Sequence, residues 1–435
     1  MPAPRKEFPP KMKSSMTSRR AFLGGSVLFV GGLALAGCAK PEEEAAAAGA
    51  KVVLQQWYHA YGEAGTQQAV IRYATEYTKA NPDVAINITW NAGDYSAKLH
   101  SALLTPKAPD LFEIGDFMYV DVKNGLLAPL DDLVKGSEDE YAKASLEHAT
   151  ADGKLYGLKM MDDAMVLYYR KSILEKAGIA PPQTFAELAA AAKQLSSRDQ
   201  KGLYLGSDGI GNAPYLLLWS NGADLIDPEG KKVICNSPEA VAALAGLKQL
   251  HDDKSLLLDY TTDWGDPAAF IQGATAMQWS GLWAMPAIRK ALGDDFGVMP
   301  WPKFSDSGQA VSRIGGWFAA VNSKSKHVDE AKKYIDWLWI KQVDLQKDWC
   351  VSYGFHVPAR KSVAAQTTQF STGPEKDAAD ILANTSRAFP NRWDNEMWSL
   401  FGQAVVEIAK SGGDAKTLMD EVAVKCQAEL DKQLA

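Results

Sequence analysis

Residues 167–188, LYYRKSILEKAGIAPPQTFAEL, decide the fold of this chain. The first three residues of this stretch belong to an apolar run that begins at Met165, and the run has the length and residue types of a buried strand. The segment 172–177 then reads as a helix that ends at Gly178, and Thr184 with Glu187 three residues later predicts the capping box of a second helix. The stretch therefore predicts one buried strand followed by two helices.

The same alternation of strands and helices extends toward the N-terminus. Apolar or alternating segments at 52–57, 84–90 and 110–114 read as strands, and a helix over 66–80 stops at Asn81-Pro82, where proline cannot continue it. Repeated strand–helix units with short loops predict an α/β protein with a mainly parallel sheet. From residue 342 to the C-terminus the pattern is nearly all helical.

Composition and charge exclude several classes of protein. The 435 residues hold 46 Lys and Arg against 53 Asp and Glu, a formal charge of −7. An acidic chain repels phosphate backbones, so we expect no nucleic-acid partner. The 13 Trp are a high number for a soluble acidic chain, and they suggest more than core packing.

The first 37 residues have the pattern of an export signal. Six basic residues, including Arg19-Arg20, precede a short apolar run that ends in Leu35-Ala36-Gly37-Cys38. The first feature resembles a twin-arginine signal and the second the lipobox of bacterial lipoproteins, so 1–37 is predicted to be a signal peptide and Cys38 the lipidated residue. Residues 38–51 are predicted to be a flexible tether. Without 1–37, which carry six basic residues and one acidic residue, the formal charge becomes −12.

The remaining cysteines leave two interpretations open. Cys235, Cys350 and Cys426 are an odd number, so at most one disulfide forms among them. A Cys350–Cys426 bond is one interpretation, and three buried thiols are the other.

Motifs of enzymes and metal sites are weak in this sequence. The six His are scattered without metal-ligand spacing, and the sequence contains no nucleophile-elbow or phosphate-loop motif. We therefore expect no metal, no cofactor and no enzymatic activity. A pair of carboxylates acting as a glycosidase stays open, because carboxylates are plentiful.

Several tryptophans lie at strand ends or in turns, where they are placed to stack on the apolar face of a sugar ring. Three others, Trp301, Trp337 and Trp339, read as core or hinge packing. The expected stacking set is Trp57, Trp219, Trp264, Trp283, Trp317 and Trp393.

Four groups of segments in order resemble the maltose-binding-protein-like extracellular solute-binding proteins (family 1). They are 152–158 with 167–188, 109–112 with 125–131, 270–277 with 281–283, and 315–317 with 323–326. The resemblance implies a periplasmic-binding-protein-like, two-lobed (Venus-flytrap) α/β fold with a hinge, a helical C-terminal region and a ligand between the lobes. It also implies delivery of that ligand to the membrane permease subunits of an ATP-binding-cassette (ABC) importer.

The resemblance further implies where the chain crosses between lobes. The crossings are expected near 160–165 and 299–302. Lobe one would then comprise 52–162 plus 301–341, and lobe two 163–300 plus 342–435. We expect a monomer, anchored to the outer side of the cell membrane through lipid.

Matching positions and the turn-placed tryptophans together give the expected ligand-binding residues. Glu63 is the expected hydroxyl acceptor, Asp163 an acid at the first crossing, and Trp283 a stacking residue. The full set is His59, Tyr61, Glu63, Asp116, Asp163, Tyr215, Trp264, Trp283, Gly316, Trp317, Arg360 and Trp393.

The function expected from these observations is capture of a sugar or oligosaccharide by hinge closure. One alternative is a non-sugar solute such as a polyol phosphate, polyamine or peptide, and another is a secreted carbohydrate-active enzyme.

Overall fold

A computed structural model describes residues 49–435. The predicted signal peptide 1–37, the lipidation site Cys38 and most of the tether therefore lie outside the described residues. Within 49–435, no helix is long and apolar enough to cross a membrane.

The strands form two larger sheets and one small hairpin. In chain order they are β1 (Val52–His59), β2 (Val84–Asn91), β3 (Leu111–Ile114), β4 (Thr150–Ala151), β5 (Lys154–Leu155), β6 (Leu158–Lys159), β7 (Met161–Tyr169), β8 (Lys201–Tyr204), β9 (Thr275–Gly281), β10 (Gly297–Met299), β11 (Ser312–Gly315), β12 (Phe318–Val321), β13 (Val357–Pro358) and β14 (Ser386–Arg387).

The helices cover both sheets and make up most of the C-terminal region. They are α1 (Thr66–Ala80), α2 (Tyr95–Leu103), α3 (Tyr119–Lys123), α4 (Asp131–Val134), α5 (Lys143–Ala149), α6 (Lys171–Ala177), α7 (Phe185–Gln194), α8 (Ala213–Ser220), α9 (Pro238–Asp252), α10 (Ala268–Ile271), α11 (Met285–Leu292), α12 (Val328–Asp336), α13 (Val343–Val351), α14 (Lys361–Ala364), α15 (Gly373–Thr385), α16 (Asn395–Val406) and α17 (Ala415–Leu434).

The first sheet has the order β2-β1-β3-β12-β6 and forms lobe one. Strands β1, β2 and β3 are parallel, whereas β12 runs antiparallel to β3. A core that includes Leu54, Tyr73 and Phe112 packs between this sheet and its helices. The predicted helix over 66–80 is confirmed as α1, which follows the left-handed Gly65 and ends at Asn81.

The second sheet, in lobe two, is built around the long strand β7. Strands β9, β10, β11 and β13 all pair with β7 in the antiparallel sense. The expectation of a mainly parallel sheet is therefore wrong for lobe two, because strands from distant parts of the chain return beside β7. The capping box of α7 is confirmed, with Thr184 and Glu187 each accepting from the other's backbone.

The chain passes between the two sheets at Met160, where β6 of lobe one leads into β7 of lobe two, and again at Gly316 and Trp317, between β11 and β12. The second crossing was expected near 299–302. Trp301 instead is fully buried in the core of lobe two and pairs with Val311.

A third passage joins helix α13 to strand β13. Trp349 and Cys350 in α13 pack in the core of lobe one, whereas β13 pairs with β7 at the edge of lobe two. These contacts differ from the lobe boundaries expected from the sequence, which placed everything after residue 341 in lobe two.

The three cysteines of the described residues are free thiols, and all three are buried. Cys350 lies in the core of lobe one, whereas Cys426 and Cys235 lie in the core of lobe two. The interpretation of three buried thiols is therefore confirmed, and the Cys350–Cys426 disulfide is wrong.

Candidate functional site: the cleft between the lobes

A cavity of about 600 Å³ opens between the lobes, next to the crossings. Its walls come from the loop after β1, the loop after β3, the crossing segments and the part of lobe two around α11. The lining residues are His59, Tyr61, Gly62, Glu63, Gly115, Asp116, Asp163, Met165, Trp264, Trp283, Pro286, Ala287, Arg313, Gly315, Gly316, Trp317, Tyr353 and His356.

The structure brings most of the expected ligand-binding residues together in this cavity. Those residues are His59, Tyr61, Glu63, Asp116, Asp163, Trp264, Trp283, Gly316 and Trp317. Their convergence follows from topology, because the carboxyl ends of parallel strands meet at one edge of a sheet and loops after them point into the same crevice.

Three expected residues lie elsewhere. Tyr215 and Trp393 line a neighbouring cavity of about 190 Å³, together with Trp398. Tyr215 is 1% exposed and donates to the side chain of Asn212. Arg360 lies on lobe one, where its guanidinium donates to the carbonyl of Ile340 at 2.6 Å.

Three tryptophans of the expected stacking set line the cavity, namely Trp264, Trp283 and Trp317. Trp264 and Trp283 meet edge to face in the cavity, 5.7 Å apart, and the indole N–H of Trp283 donates to the carbonyl of Gly265 at 2.8 Å. Trp317 stacks on the ring of His59 at 4.0 Å.

The other members of the expected stacking set lie outside the central cavity. Trp219 is fully buried in lobe two, Trp393 is 5% exposed, and Trp57 packs against the core of lobe one. Trp301 and Trp339 are buried, in agreement with the expected core packing.

His356 joins two carboxylates of the cavity. Its Nδ1 lies 2.7 Å from Asp163 Oδ1 and its Nε2 lies 3.3 Å from Glu63 Oε1. Burial alone lowers the pKa of His356, but the charges and hydrogen bonds of Asp163 and Glu63 outweigh it and raise the pKa to about 10. Burial raises the pKa of Glu63, yet the hydrogen bond and charge of His356 bring it below its usual range. The ring is therefore an imidazolium that neutralises part of this acidic wall.

An ion pair lines the cavity. The Arg313 guanidinium on β11 contacts the Asp116 carboxylate in the loop after β3, so it bridges the two lobes. Burial raises the pKa of Asp116, but the charge and hydrogen bond of Arg313 together with the charges of His148 and Lys159 outweigh it, and the net shift is downward. Both residues also line the neighbouring cavity that contains Tyr215.

A second contact between the lobes involves Asn391 of lobe two. Its side-chain amide donates to the backbone carbonyls of His148 at 3.1 Å and Thr150 at 2.8 Å. The backbone carbonyl of Asn391 accepts from the Tyr119 N–H at 2.8 Å. Beside it, His148 Nδ1 lies 2.9 Å from the carbonyl of Phe389. We call these four hydrogen bonds, which join the two lobes, the Asn391 clasp.

Sequence reasoning missed several residues of the site, above all His356, Arg313 and the buried Glu113. The residues of each contact are far apart in the chain, with 193 positions between Asp163 and His356 and 197 between Asp116 and Arg313. Strand β11 alternates in burial, with Ser312 and Ile314 buried and Arg313 on the other face. Its residue types, Ser-Arg-Ile-Gly, do not alternate in polarity, so they give no local signal for Arg313.

Within residues 49–435 no group of three or more His, Cys, Asp or Glu side chains is placed to hold a metal ion. The cavity offers aromatic faces, paired carboxylates and imidazoles, which suit hydrogen bonding and stacking. Two lobes, three passages between them and a lined cavity in the cleft define a protein that binds a small solute between its lobes.

The chain belongs to the bacterial extracellular solute-binding proteins, whose family model matches residues 63–338. These are extracytoplasmic binding proteins rather than a family of enzymes. A probable ABC transporter-binding protein of Deinococcus radiodurans is 30% identical over 268 residues, which cover 56% of this chain and 62% of that relative. An arabinooligosaccharide-binding protein of Bacillus subtilis is 24% identical over 311 residues, 66% of this chain and 69% of the relative.

Among solved structures, an ABC transporter solute-binding protein of Thermotoga lettingae bound to α-D-tagatose is similar in fold. It is 19% identical, has a TM-score of 0.73, and covers 87% of this chain and 99% of its own. The predicted two-lobed α/β fold is confirmed.

Proposed function

We propose that this protein captures a sugar or oligosaccharide in the cleft and delivers it to the permease subunits of an ABC importer. The observation that carries the proposal is the cavity wall, where Trp264, Trp283 and Trp317 face the same space as the carboxylates of Glu63 and Asp163. Indole faces stack on the C–H faces of sugar rings, and carboxylates accept the hydroxyl donors at their edges. The names of the relatives, which include an arabinooligosaccharide-binding protein, support the same class of ligand.

The size of the cleft fits a short oligosaccharide. A cavity of about 600 Å³ lies within the usual range of roughly 300–1,000 Å³ for small-molecule sites. The neighbouring cavity with Tyr215 and Trp398 shares Asp116 and Arg313 with the central one. A longer chain would reach it by displacing that ion pair.

Hinge closure supplies the signal for transport. Ligand contacts from both lobes stabilise the closed form, and the ligand shifts the equilibrium only by its preference for that form. We propose that residues 1–37 direct export by the twin-arginine route. Lipid on Cys38 then anchors the monomer to the outer side of the membrane, where two acyl chains give stable attachment.

The alternatives fit the site less well. The guanidinium of Arg313, which would attract a phosphorylated solute, is already paired with Asp116. A glycosidase needs one carboxyl group that carries a proton and one that is free to attack. Here Asp163 and Glu63 both bind the imidazolium of His356.

A thermal-shift screen followed by calorimetry tests the proposal. The panel holds maltose, lactose, α-1,5-arabinotriose, N,N′-diacetylchitobiose and β-1,4-mannobiose, with glycerol 3-phosphate, spermidine and a tripeptide as the other solute classes. A bound sugar raises the Tm by linkage. Spermidine, phosphate ester or peptide raising it while all sugars leave it unchanged would contradict the sugar assignment.

Matched tryptophan variants locate the site. Trp317→Ala removes a cavity face and should weaken sugar binding about tenfold or more, since an aromatic contact is worth about 0.5–1.5 kcal/mol beyond its buried area. Trp337→Ala removes a half-buried indole of lobe one that stacks on Tyr334 outside the cavity. It should lower the Tm but leave the affinity of the folded protein unchanged.

A further inference from the structure

Glu113 is a buried carboxylate behind the wall of the cleft. It lies on β3 and is 1% exposed. Its Oε1 accepts from the backbone N–H of His59 and lies 2.5 Å from His59 Nδ1, and its Oε2 accepts from the Tyr61 hydroxyl at 2.6 Å. Tyr95 anchors the same strand position by donating to the Glu113 carbonyl at 2.8 Å. Glu113 therefore connects β3 to the two aromatic residues that enter the cavity from β1.

The His59 ring is held on two sides. The ring of Tyr61 lies 3.7 Å from it and the ring of Trp317 lies 4.0 Å from it, centroid to centroid. Tyr61 and Trp317 are 6.3 Å from each other, so they contact different sides of the imidazole. With one ring nitrogen against Glu113, the imidazole has no freedom to turn over without losing these contacts.

The partner of Nδ1 decides where the proton sits. An ionised carboxylate only accepts hydrogen bonds, so Nδ1 carries the proton that points to Glu113. In a neutral imidazole the other nitrogen, Nε2, then has a lone pair. His59 lines the cavity and its side chain is 20% exposed, so a ligand can reach this nitrogen. Burial, together with the charge of Glu113, raises the pKa of Tyr61 well above its usual range, so that hydroxyl stays a donor to Glu113.

We propose that Glu113 is a positioning residue for ligand recognition, which fixes neutral His59 as the Nδ1–H tautomer so that Nε2 accepts a hydrogen bond from the ligand. This inference rests on the proposed function and narrows it. The bound sugar presents a free hydroxyl group, a donor, to His59. An ether oxygen or a carboxylate at that place has no proton to give and is rejected.

The tautomer can be read directly in the wild-type protein without a ligand. Two-dimensional ¹⁵N–¹H spectra at about pH 8 distinguish a protonated ring nitrogen from one with a lone pair, and the His59→Gln spectrum assigns the signals. We expect protonated Nδ1 and unprotonated Nε2. Protonated Nε2 in the wild type would overturn the proposal, and this outcome does not depend on which solute binds.

Two substitutions at Glu113 distinguish the effect of its hydrogen-bond acceptor from the effect of its side-chain volume. Glu113→Leu keeps the approximate volume but removes the acceptor, so we expect the Nε2 signal to shift toward the protonated form. Glu113→Gln retains a carbonyl oxygen for the His59 N–H groups and should restore the Nδ1–H tautomer. If Glu113→Leu fails to fold, the spectra of the wild type and of Glu113→Gln still show which ring nitrogen of His59 carries the proton.

Affinity is measured by calorimetry with whichever of maltose, lactose, α-1,5-arabinotriose, diacetylchitobiose and mannobiose binds tightest. His59→Asn keeps a donor toward Glu113 but removes the acceptor that Nε2 supplies to the ligand. Glu113→Leu removes the group that holds His59 as the Nδ1–H tautomer. Both should weaken binding about tenfold, the value of one hydrogen bond of about 1.4 kcal/mol, and Glu113→Gln should recover most of it. Unchanged affinity in folded Glu113→Leu would overturn the proposal.

Asp121→Asn is the matched control. Asp121 is another buried carboxylate of lobe one, and its Oδ2 lies 3.0 Å from His100 Nε2, outside the central cavity. The substitution should leave sugar affinity unchanged. If no sugar binds to the wild type, the proposed function fails, whereas the spectra still test the role of Glu113.

Discussion

Replacing His356 by Gln should lower the free energy of unfolding at pH 7 and lower it much less at pH 9. The pKa of His356 is raised from about 6.5 in the unfolded chain to about 10 in the folded protein, by Asp163 and Glu63 acting against burial. A group with a raised pKa in the folded state stabilises fully below the unfolded value. That stabilisation is then lost as the pH rises through the folded value.

The magnitude follows from these two values. The linkage relation gives a contribution of roughly 4 kcal/mol near pH 7 and on the order of 1 kcal/mol near pH 9. The side chain of His356 is only 6% exposed, so little solvent screening applies. The difference in unfolding free energy between wild type and His356→Gln should therefore shrink by roughly 2–3 kcal/mol between these pH values.

Equilibrium unfolding in urea measures this difference, because urea adds no ions that would screen the pair. His327→Gln is the control, since the His327 ring forms no ion pair among residues 49–435. Its effect on stability should not change over the same pH range. A wild-type to His356→Gln difference that stays constant from pH 7 to pH 9 would refute the assignment of an imidazolium between the two carboxylates.

Four further substitutions test the fold and the contact between the lobes. Gly316→Ala should destabilise the protein by about 2–4 kcal/mol in urea unfolding, because φ is +93° and an added Cβ would lie 2.2 Å from the Met161 carbonyl oxygen. Gly402→Ala, within a helix and with open space at its Cβ, should instead stabilise by up to about 1 kcal/mol. Thr184→Ala should lose about 1 kcal/mol with the capping box of α7, and retention of full stability would argue against that cap. Asn391→Ala removes the two side-chain hydrogen bonds of the clasp and should increase the radius of gyration of the ligand-free protein in small-angle X-ray scattering, whereas an unchanged radius would show that these two bonds do not hold the lobes together.

Much of the local structure was predictable from the sequence, because it depends on neighbouring residues. The boundaries of α1 follow from Gly65 and Asn81-Pro82, and the start of α7 from Thr184 with Glu187. The order of the sheet in lobe two was not predictable in this way. A strand pattern states that a segment is extended and buried but does not state which distant segment will pair with it.

The tryptophans show the same limit within the candidate site. Trp219 and Trp283 both looked like turn-placed stacking residues, yet Trp219 is fully buried and Trp283 lines the cleft. The turn placement is wrong for Trp219, which lies in helix α8, and the burial of either indole depends on which distant segments cover it. For Trp219 the covering layer includes Phe389, which is 170 positions away in the sequence.

The sequence by itself determined the α/β class, the acidic charge, the family resemblance and most residues of the loops that enter the cleft. These features depend on composition, periodicity and short motifs. Only the tertiary structure decided that His356 joins Glu63 to Asp163, that Arg313 meets Asp116, and that Glu113 holds His59. Each contact joins segments separated by at least 54 positions, so it arises only when the fold brings those segments side by side. For Glu113 and His59 the pairing of β3 with β1 does this, and for the other two contacts it is the approach of the two lobes.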